Sequence, residues 1–265
     1  MSSSEQRVTV ERTGAVAHVR LNRVDKRNGL DLAMFQGLIE AGEQLTAAPG
    51  LRAVVLSGNG GFFCAGLDFA SFMAGGAEAQ QYLLERHPSG ANRAQRIATI
   101  WQEVPVPVIA AIEGVAFGGG CQLAAGADIR IAAPDARLSV MEIKWGIIPD
   151  MGVTRTLARL LRPDVLRELT WTGRIVEAPE ALELGLLTRV TENPVTAALE
   201  LAELIARKNP QAIRASKLMF ERAYDLDQDA ALALETELQL PLLGSPNQLE
   251  AVMANMAKRP PVFAD

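Results

Sequence analysis

The sequence predicts an α/β fold that ends in a helical appendage, and three observations predict it. Apolar runs of strand length alternate with stretches of helical periodicity up to about residue 190, which argues for parallel pairing. Two strand-to-helix passages are rich in glycine, Gly58-Asn-Gly-Gly-Phe-Phe-Cys-Ala-Gly-Leu-Asp68 and Gly114-Val-Ala-Phe-Gly-Gly-Gly-Cys-Gln-Leu-Ala-Ala-Gly-Ala-Asp128. Beyond Val190 the strand signals stop and four helical segments follow. With 265 residues, 49% hydrophobic and 22% charged, the chain is long and apolar enough for a sizeable soluble core.

Each element has its own signal. Residues 8–10 and 15–21 read as two strands joined by a turn at Thr13-Gly14. A polar, basic loop occupies residues 22–28. Asp31 has the chemistry of an N-cap for a helix reaching about Ala47, with Met34, Leu38, Ile39 and Leu45 on one face. Pro49-Gly50 ends it. Residues 53–57 form a short buried strand before the first glycine passage. Residues 69–103 read as helix, interrupted at Gly75-Gly76 and at Pro88-Ser-Gly90. Residues 106–112 read as a buried strand, and Cys121 to Ala125 as the start of an Ala-rich helix after the second passage. Residues 128–133 and 137–140 are further strand candidates. The tail helices fall at 195–207, 210–223, 229–240 and 246–258, broken at Asn209-Pro210, near Asp225 and at Gly244-Ser-Pro246. The expected division is a core over 1–195 and a helical region over 196–265. That region is too small for an easy core of its own, so it packs on the main domain or on a neighbouring subunit.

Composition excludes several classes. The net charge is −5 and no run of Lys or Arg exceeds two residues, which argues against a nucleic-acid surface. No apolar run reaches the length of a membrane span, and the opening Met-Ser-Ser-Ser-Glu-Gln-Arg lacks a signal-peptide core, so the expectation is a cytoplasmic protein without a membrane partner. Cys64 and Cys121 sit in Gly/Ala-rich segments and read as small apolar fillers, with no disulfide expected. His18 and His87 are the two histidines, and His18, in an alternating strand, reads as structural. No cluster has metal-ligand spacing and no Gly-x-Ser-x-Gly elbow occurs, so no metal is expected and carboxylates are the acid–base candidates.

A glycine turn between strand and helix leaves bare N–H groups beside a helix N-terminus, where negative charge is favoured. Neither turn has the Gly-x-Gly-x-x-Gly or P-loop pattern, so nucleotide phosphates lose ground. Two such turns, each offering one N–H to the same carbonyl oxygen, would make an oxyanion hole. Either turn alone is equally a tight connection without chemistry.

Phe63-Cys-Ala-Gly-Leu-Asp68 and the segment from Gly114 to Asp128 resemble the two signature segments of the crotonase family, the enoyl-CoA hydratase/isomerase enzymes. Val19-Arg-Leu-Asn-Arg23, Gly146-Ile-Ile-Pro-Asp-Met-Gly152 and Asn209-Pro-Gln-Ala-Ile-Arg-Ala-Ser-Lys217 resemble that family too, in matching order over nearly the whole chain. The resemblance implies a crotonase-like spiral of ββα repeats with a C-terminal helical oligomerisation region, in a homotrimer or a dimer of trimers. It implies an acyl-CoA thioester substrate, with coenzyme A part of the substrate and no separate cofactor. By motif position the oxyanion amides belong to Leu67 and Gly119. Lys26, Arg27, Cys64, Ala65, Gly66, Asp68 and Gly118 would line the path of coenzyme A and the thioester. The pair Lys26-Arg27 reads equally as a solvated loop.

Hydratases of the family carry two glutamates that hold a water. Gln122 stands where the first is found, and an amide cannot take a proton at neutral pH, though it can orient water or the thioester. Glu142 stands at the second position, in an apolar segment that would raise its pKa; the bland alternative is a surface glutamate on an edge strand. The family's dienoyl-CoA isomerases resemble this chain in having an acid at Glu142 and an aspartate at Asp150, and differ from it in carrying a carboxylate where Gln122 stands. Two acids beside an acyl chain can move a proton between carbons without water. Asp150 is alternatively a cap on a helix starting near Thr154. Phe72, Met73, Tyr82, Leu83 and Trp101 read either as an acyl-pocket wall or as helix core, and the breaks in that segment would suit a mobile lid. The expected function is hydration or double-bond isomerisation of enoyl-CoA in fatty-acid metabolism. The rivals are decarboxylation, thioester hydrolysis or dehalogenation on the same scaffold, and coenzyme A binding without catalysis.

Overall fold

The computed structural model describes residues 6–265. It opens with a hairpin, β1 (Val8–Thr13) and β2 (Val16–Leu21), paired antiparallel with Val10 opposite Val19. Gly14 makes the turn at φ +58°, as the Thr13-Gly14 signal requires. Helix α1 (Leu32–Thr46) follows, capped by Asp31, whose side chain accepts the Met34 N–H. Strand β3 (Ala53–Gly58) leads into the first glycine turn and α2 (Phe69–Leu84), which is broken at Gly76. Helix α3 (Arg93–Glu103) then precedes β4 (Val108–Ile112).

The second glycine passage differs from expectation. Val115–Phe117 forms a strand, β5, and helix α4 (Gly119–Ala125) starts two residues before the expected Cys121. A three-residue strand is too short to show alternation in sequence; it exists because it pairs with β7 (Arg137–Ser139), reached after β6 (Ile129–Ala132). Next come α5 (Leu157–Leu160), α6 (Pro163–Thr172), β8 (Val176–Glu177), α7 (Ala178–Leu184) and β9 (Arg189–Val190), a stretch without clear periodicity. The tail is α8 (Pro194–Ala206), α9 (Pro210–Ala223), α10 (Gln228–Gln239) and α11 (Pro246–Met256), at the expected breaks.

The strands form a sheet in the order β1-β2-β3-β4-β6-β9, parallel from β2 onward, and a smaller sheet in the order β5-β7-β8. Both faces of the large sheet are covered, which is why β3 and β4 read as unbroken apolar runs. On one face Leu56, Ala110 and Ile112 join the core that holds Phe35, Leu38, Ile97 and Trp101. On the other, Ala198, Ala202 and Ala206 of α8 pack on Val55, Ile109 and Ile131. The first helix of the 196–265 region therefore packs on the core of this same chain. Helices α9 to α11 instead leave Phe220, Leu232 and Met256 exposed. Among the described residues no helix is long and apolar enough to cross a membrane.

One buried cation clips α9 to the core. Lys217 Nζ donates to the carbonyls of Trp101 (2.9 Å) and Val106 (3.0 Å) and to Asp128 Oδ2 (2.8 Å). Asp128 Oδ2 also accepts the Val108 N–H at the start of β4 (2.7 Å). Lys217→Met leaves two carbonyls unpaired and one carboxylate without its cation. The expected loss of stability is about 3 kcal/mol, at the low end for a broken buried pair because Asp128 still touches water. Urea unfolding checks this, and a loss below about 1 kcal/mol contradicts it.

Candidate active site

The site starts from two N–H groups left without partners. Leu30 N–H donates to the Gly66 carbonyl (2.8 Å) and Asp68 N–H donates to the Leu30 carbonyl (3.0 Å). This short parallel bridge fixes the residues on either side of Leu67 and leaves the Leu67 N–H unused among the described residues. Gly119 opens α4, so its N–H has no partner inside the helix. Gly66, at φ +89°, brings the two turns together. A Cβ there would lie 2.6 Å from the Phe117 carbonyl oxygen and 3.8 Å from the Gly119 nitrogen. Only a glycine permits that approach.

Between the turns lies a cleft of about 110 Å³, lined by Ala65, Gly66, Leu67, Gly118, Gly119, Glu142 and Asp150 among others. Seven of the residues singled out in the sequence thus meet around one space. Glu142 opens a 3-10 helix, Glu142–Trp145, and is buried; it is not on an edge strand. Its Oε1 accepts a hydrogen bond from Gln122 Nε2 at 2.6 Å. Its Oε2 is buried with no partner among the described residues. Burial holds this carboxyl above its ordinary range, the nearby Asp150 charge adds to the effect, and the bond from Gln122 opposes it. Asp150 is exposed as a residue in the single chain. The cleft walls nevertheless strip water from its carboxyl, and this raises its pKa as well. It caps nothing: the next helix, α5, begins at Leu157 and has no side-chain cap.

Gln122 corrects one expectation. It is fully buried and does not line the cleft, so it meets neither water nor thioester there. Its amide nitrogen donates to Glu142 and its oxygen accepts the Met151 N–H (2.9 Å). It orients the acid and ties down the backbone beside Asp150.

Four other expected residues also lie outside the cleft. Cys64 is fully buried, 3.1 Å from the Asn28 carbonyl oxygen, and burial pushes its thiol up to about 12. Asp68 caps α2. Its carboxylate accepts Ser71 Oγ–H (2.7 Å) and Ser71 N–H (3.2 Å) and faces the Arg23 guanidinium at 2.8 Å. The bonds from Ser71, with help from Arg23, hold it down at about 2. Lys26 and Arg27 sit on an exposed turn. The Arg27 carbonyl accepts the Ala65 N–H (3.0 Å), so the turn flanks the loop without entering the cleft. The acyl-wall candidates are displaced too. Trp101 is fully buried, Phe72, Tyr82 and Leu83 pack against the core, Met73 is exposed, and none lines the cleft.

Sequence reasoning did not assign roles to three residues that matter here. Arg23 is buried and pairs with Asp68 and with Asp31 (3.3 Å), locking the loop that carries Leu67 to the turn before α1. Its signal was a cation at the end of a strand with two helix-capping aspartates downstream. Phe69 and Trp145 face each other across the cleft, ring centroids 4.3 Å apart. No local spacing announces that pair, because its members come from separate elements, α2 and the 3-10 helix Glu142–Trp145.

Two spare amides and two carboxyls around one small apolar space define a site suited to a carbonyl group and a mobile proton. The chain belongs to the enoyl-CoA hydratase/isomerase family, whose model matches residues 11–265. It is 31% identical to the enoyl-CoA hydratase EchA19 of Mycobacterium tuberculosis over 96% of this chain and 95% of that one. It is 32% identical to the mitochondrial Delta(3,5)-Delta(2,4)-dienoyl-CoA isomerase of Mus musculus over 92% of this chain and 77% of the relative. The crystal structure of an enoyl-CoA hydratase from Bacillus anthracis superposes with a TM-score of 0.88 at 33% identity, covering 97% of this chain and 99% of the other. The fold is therefore the crotonase spiral with its helical C-terminal region.

Proposed function

We propose that this protein isomerises the double bond of an enoyl-CoA thioester, with Glu142 and Asp150 moving the proton. The observation that carries the reading is the engagement of Gln122. At the position where a second glutamate would hold water stands a neutral amide whose two ends are occupied by Glu142 and the Met151 N–H. The carboxyls left in the cleft are Glu142 and Asp150.

In this reading the thioester oxygen accepts the N–H groups of Leu67 and Gly119. When the Cα–H bond breaks, its electrons flow to that oxygen and one carboxylate takes the proton. Two fixed donors stabilise the enolate more than the neutral carbonyl, which is the condition for acceleration. As the enolate collapses, the double bond shifts and the other acid delivers a proton to a carbon further along the chain. One group must start ionised and the other protonated, and burial, which raises the pKa of both, favours keeping a proton on the pair. Exchange with solvent resets the pair. In this reading Lys26 and Arg27, exposed on the turn beside Ala65, would meet the phosphates of coenzyme A, and the exposed apolar residues of α9 to α11 would pack in a trimer.

The test is Asp150→Asn, assayed with a dienoyl-CoA and with crotonyl-CoA. Isomerisation is expected to fall at least about 100-fold while hydration stays within a few-fold. Unchanged isomerisation removes Asp150 from the mechanism. Hydration is the second reading, favoured by the unpartnered Glu142 Oε2, which has a lone pair free for a water; it prevails if the wild type hydrates crotonyl-CoA faster than it isomerises any dienoyl-CoA. Release of free coenzyme A would point to thioester hydrolysis instead.

A further inference from the structure

We propose that the Phe69–Trp145 pair is the acyl selector of this site, and that it restricts the substrate to a short, flat, conjugated acyl group. The inference rests on the acyl-CoA reading and adds a substrate class to it.

The first argument is size. In this conformation the cleft holds about 110 Å³, room for a small group beyond the thioester, and a longer or branched chain needs the space that the two rings now fill. The second is what closes it. The two rings stand 4.3 Å apart between centroids with their planes 34° from parallel, in direct contact. Opening the cleft means separating them.

The third argument is that the wall is built into the chemistry. Phe69 is the first residue of α2, two positions after Leu67, and the Asp68 cap between them is held by Ser71 and Arg23. Trp145 ends the 3-10 helix that Glu142 begins. Each ring is therefore carried by an element that also positions a reacting part of the site, so the wall and the reacting groups share one frame.

The fourth is surface chemistry. Trp145 is 52% exposed at the edge of the cleft, its ring tilted against Phe69. With Ile147, also exposed and also lining the cleft, it makes an apolar patch of the kind that marks a ligand groove or an interface. The adjoining Met141 and Met151 side chains are polarisable thioethers. Aromatic faces and sulfur favour a planar π-system lying along them over a saturated zigzag of equal length.

The experiment compares wild type with Trp145→Leu on dienoyl-CoA substrates of six and ten carbons, and on binding of butyryl-, hexanoyl-, 2,4-hexadienoyl- and decanoyl-CoA. The wild type is expected to prefer six carbons to ten in kcat/KM, and to bind 2,4-hexadienoyl-CoA roughly three- to tenfold more tightly than hexanoyl-CoA, as a stacking contribution implies. In Trp145→Leu the ten-to-six ratio of kcat/KM and the decanoyl-to-butyryl affinity ratio should each rise about tenfold, and the preference for the conjugated acyl should disappear. Ratios that move less than about threefold overturn the proposal. Should Trp145→Leu fail to fold, Phe69→Leu tests the same wall from the other ring. The binding series separates the two claims. Chain-length discrimination without turnover sustains the selector and defeats the isomerase reading; turnover with no discrimination does the reverse.

Discussion

Glu142→Gln is expected to lower kcat at least about 100-fold while acyl-CoA affinity stays within a few-fold. The substitution keeps shape and volume. The new amide can turn its oxygen toward Gln122 Nε2, so the 2.6 Å contact keeps a donor and an acceptor. What disappears is the carboxylate oxygen that has no partner among the described residues, Oε2. A base must be ionised to act, so activity rises with pH through its pKa. Burial places that pKa above the ordinary carboxylate range, and the rising limb of kcat/KM should therefore lie above it too. Burial raises Asp150 as well, and because the two carboxyls share one cleft the limbs of the profile belong to the pair. In Glu142→Gln the residual rate should lose the rising limb. Near-wild-type kcat, or an unmoved rising limb, would mean that another group is the base.

Gly66→Ala is expected to lower kcat by about 10²–10³-fold, the usual effect of losing one oxyanion donor, although residue 66 donates nothing itself. At φ +89° an L-residue is strained, and its Cβ would stand 2.6 Å from the Phe117 carbonyl oxygen, a backbone atom that cannot swing aside. The turns must separate, and the Leu67 and Gly119 N–H groups then cease to focus on one point. The loss should be larger for an enolate than for a neutral carbonyl. Binding of acetoacetyl-CoA, which can bind as the enolate, should therefore weaken more than binding of butyryl-CoA. Equal weakening of the two, or an unchanged kcat, would place the charge-stabilising donors elsewhere.

Both predictions use residues visible in the sequence, but visible in different degrees. The hairpin, α1 and the parallel strands were legible because each rests on a local signal: Gly14 in a turn, Asp31 at a cap, unbroken apolar runs where both sheet faces are covered. Strand β5 was not, since its three residues are strands only because Arg137–Ser139 lies beside them. Within the site, Leu67, Gly119, Glu142 and Asp150 were placed by motif position, and the cleft gathers them. Cys64 and Asp68 were assigned to the substrate side. In an extended loop neighbouring side chains point opposite ways, and these two turn inward to Asn28 and to Ser71 and Arg23. Gln122 was legible as a departure from a pattern but not in its consequence. Its partners lie 20 and 29 residues away, and no local rule links them.

The bridges that join Leu30 to Leu67 and Cys64 to Ala116 knit together three stretches of chain that are far apart in sequence. Each glycine turn can form early, beside its own strand and helix, yet neither turn alone has anything to aim at. The pocket comes into being only when these non-local pairings close, and such pairings are slower than local ones. Recovery of turnover after dilution from denaturant should therefore trail recovery of helix content, and the enzyme would serve as the clock for its own final folding step.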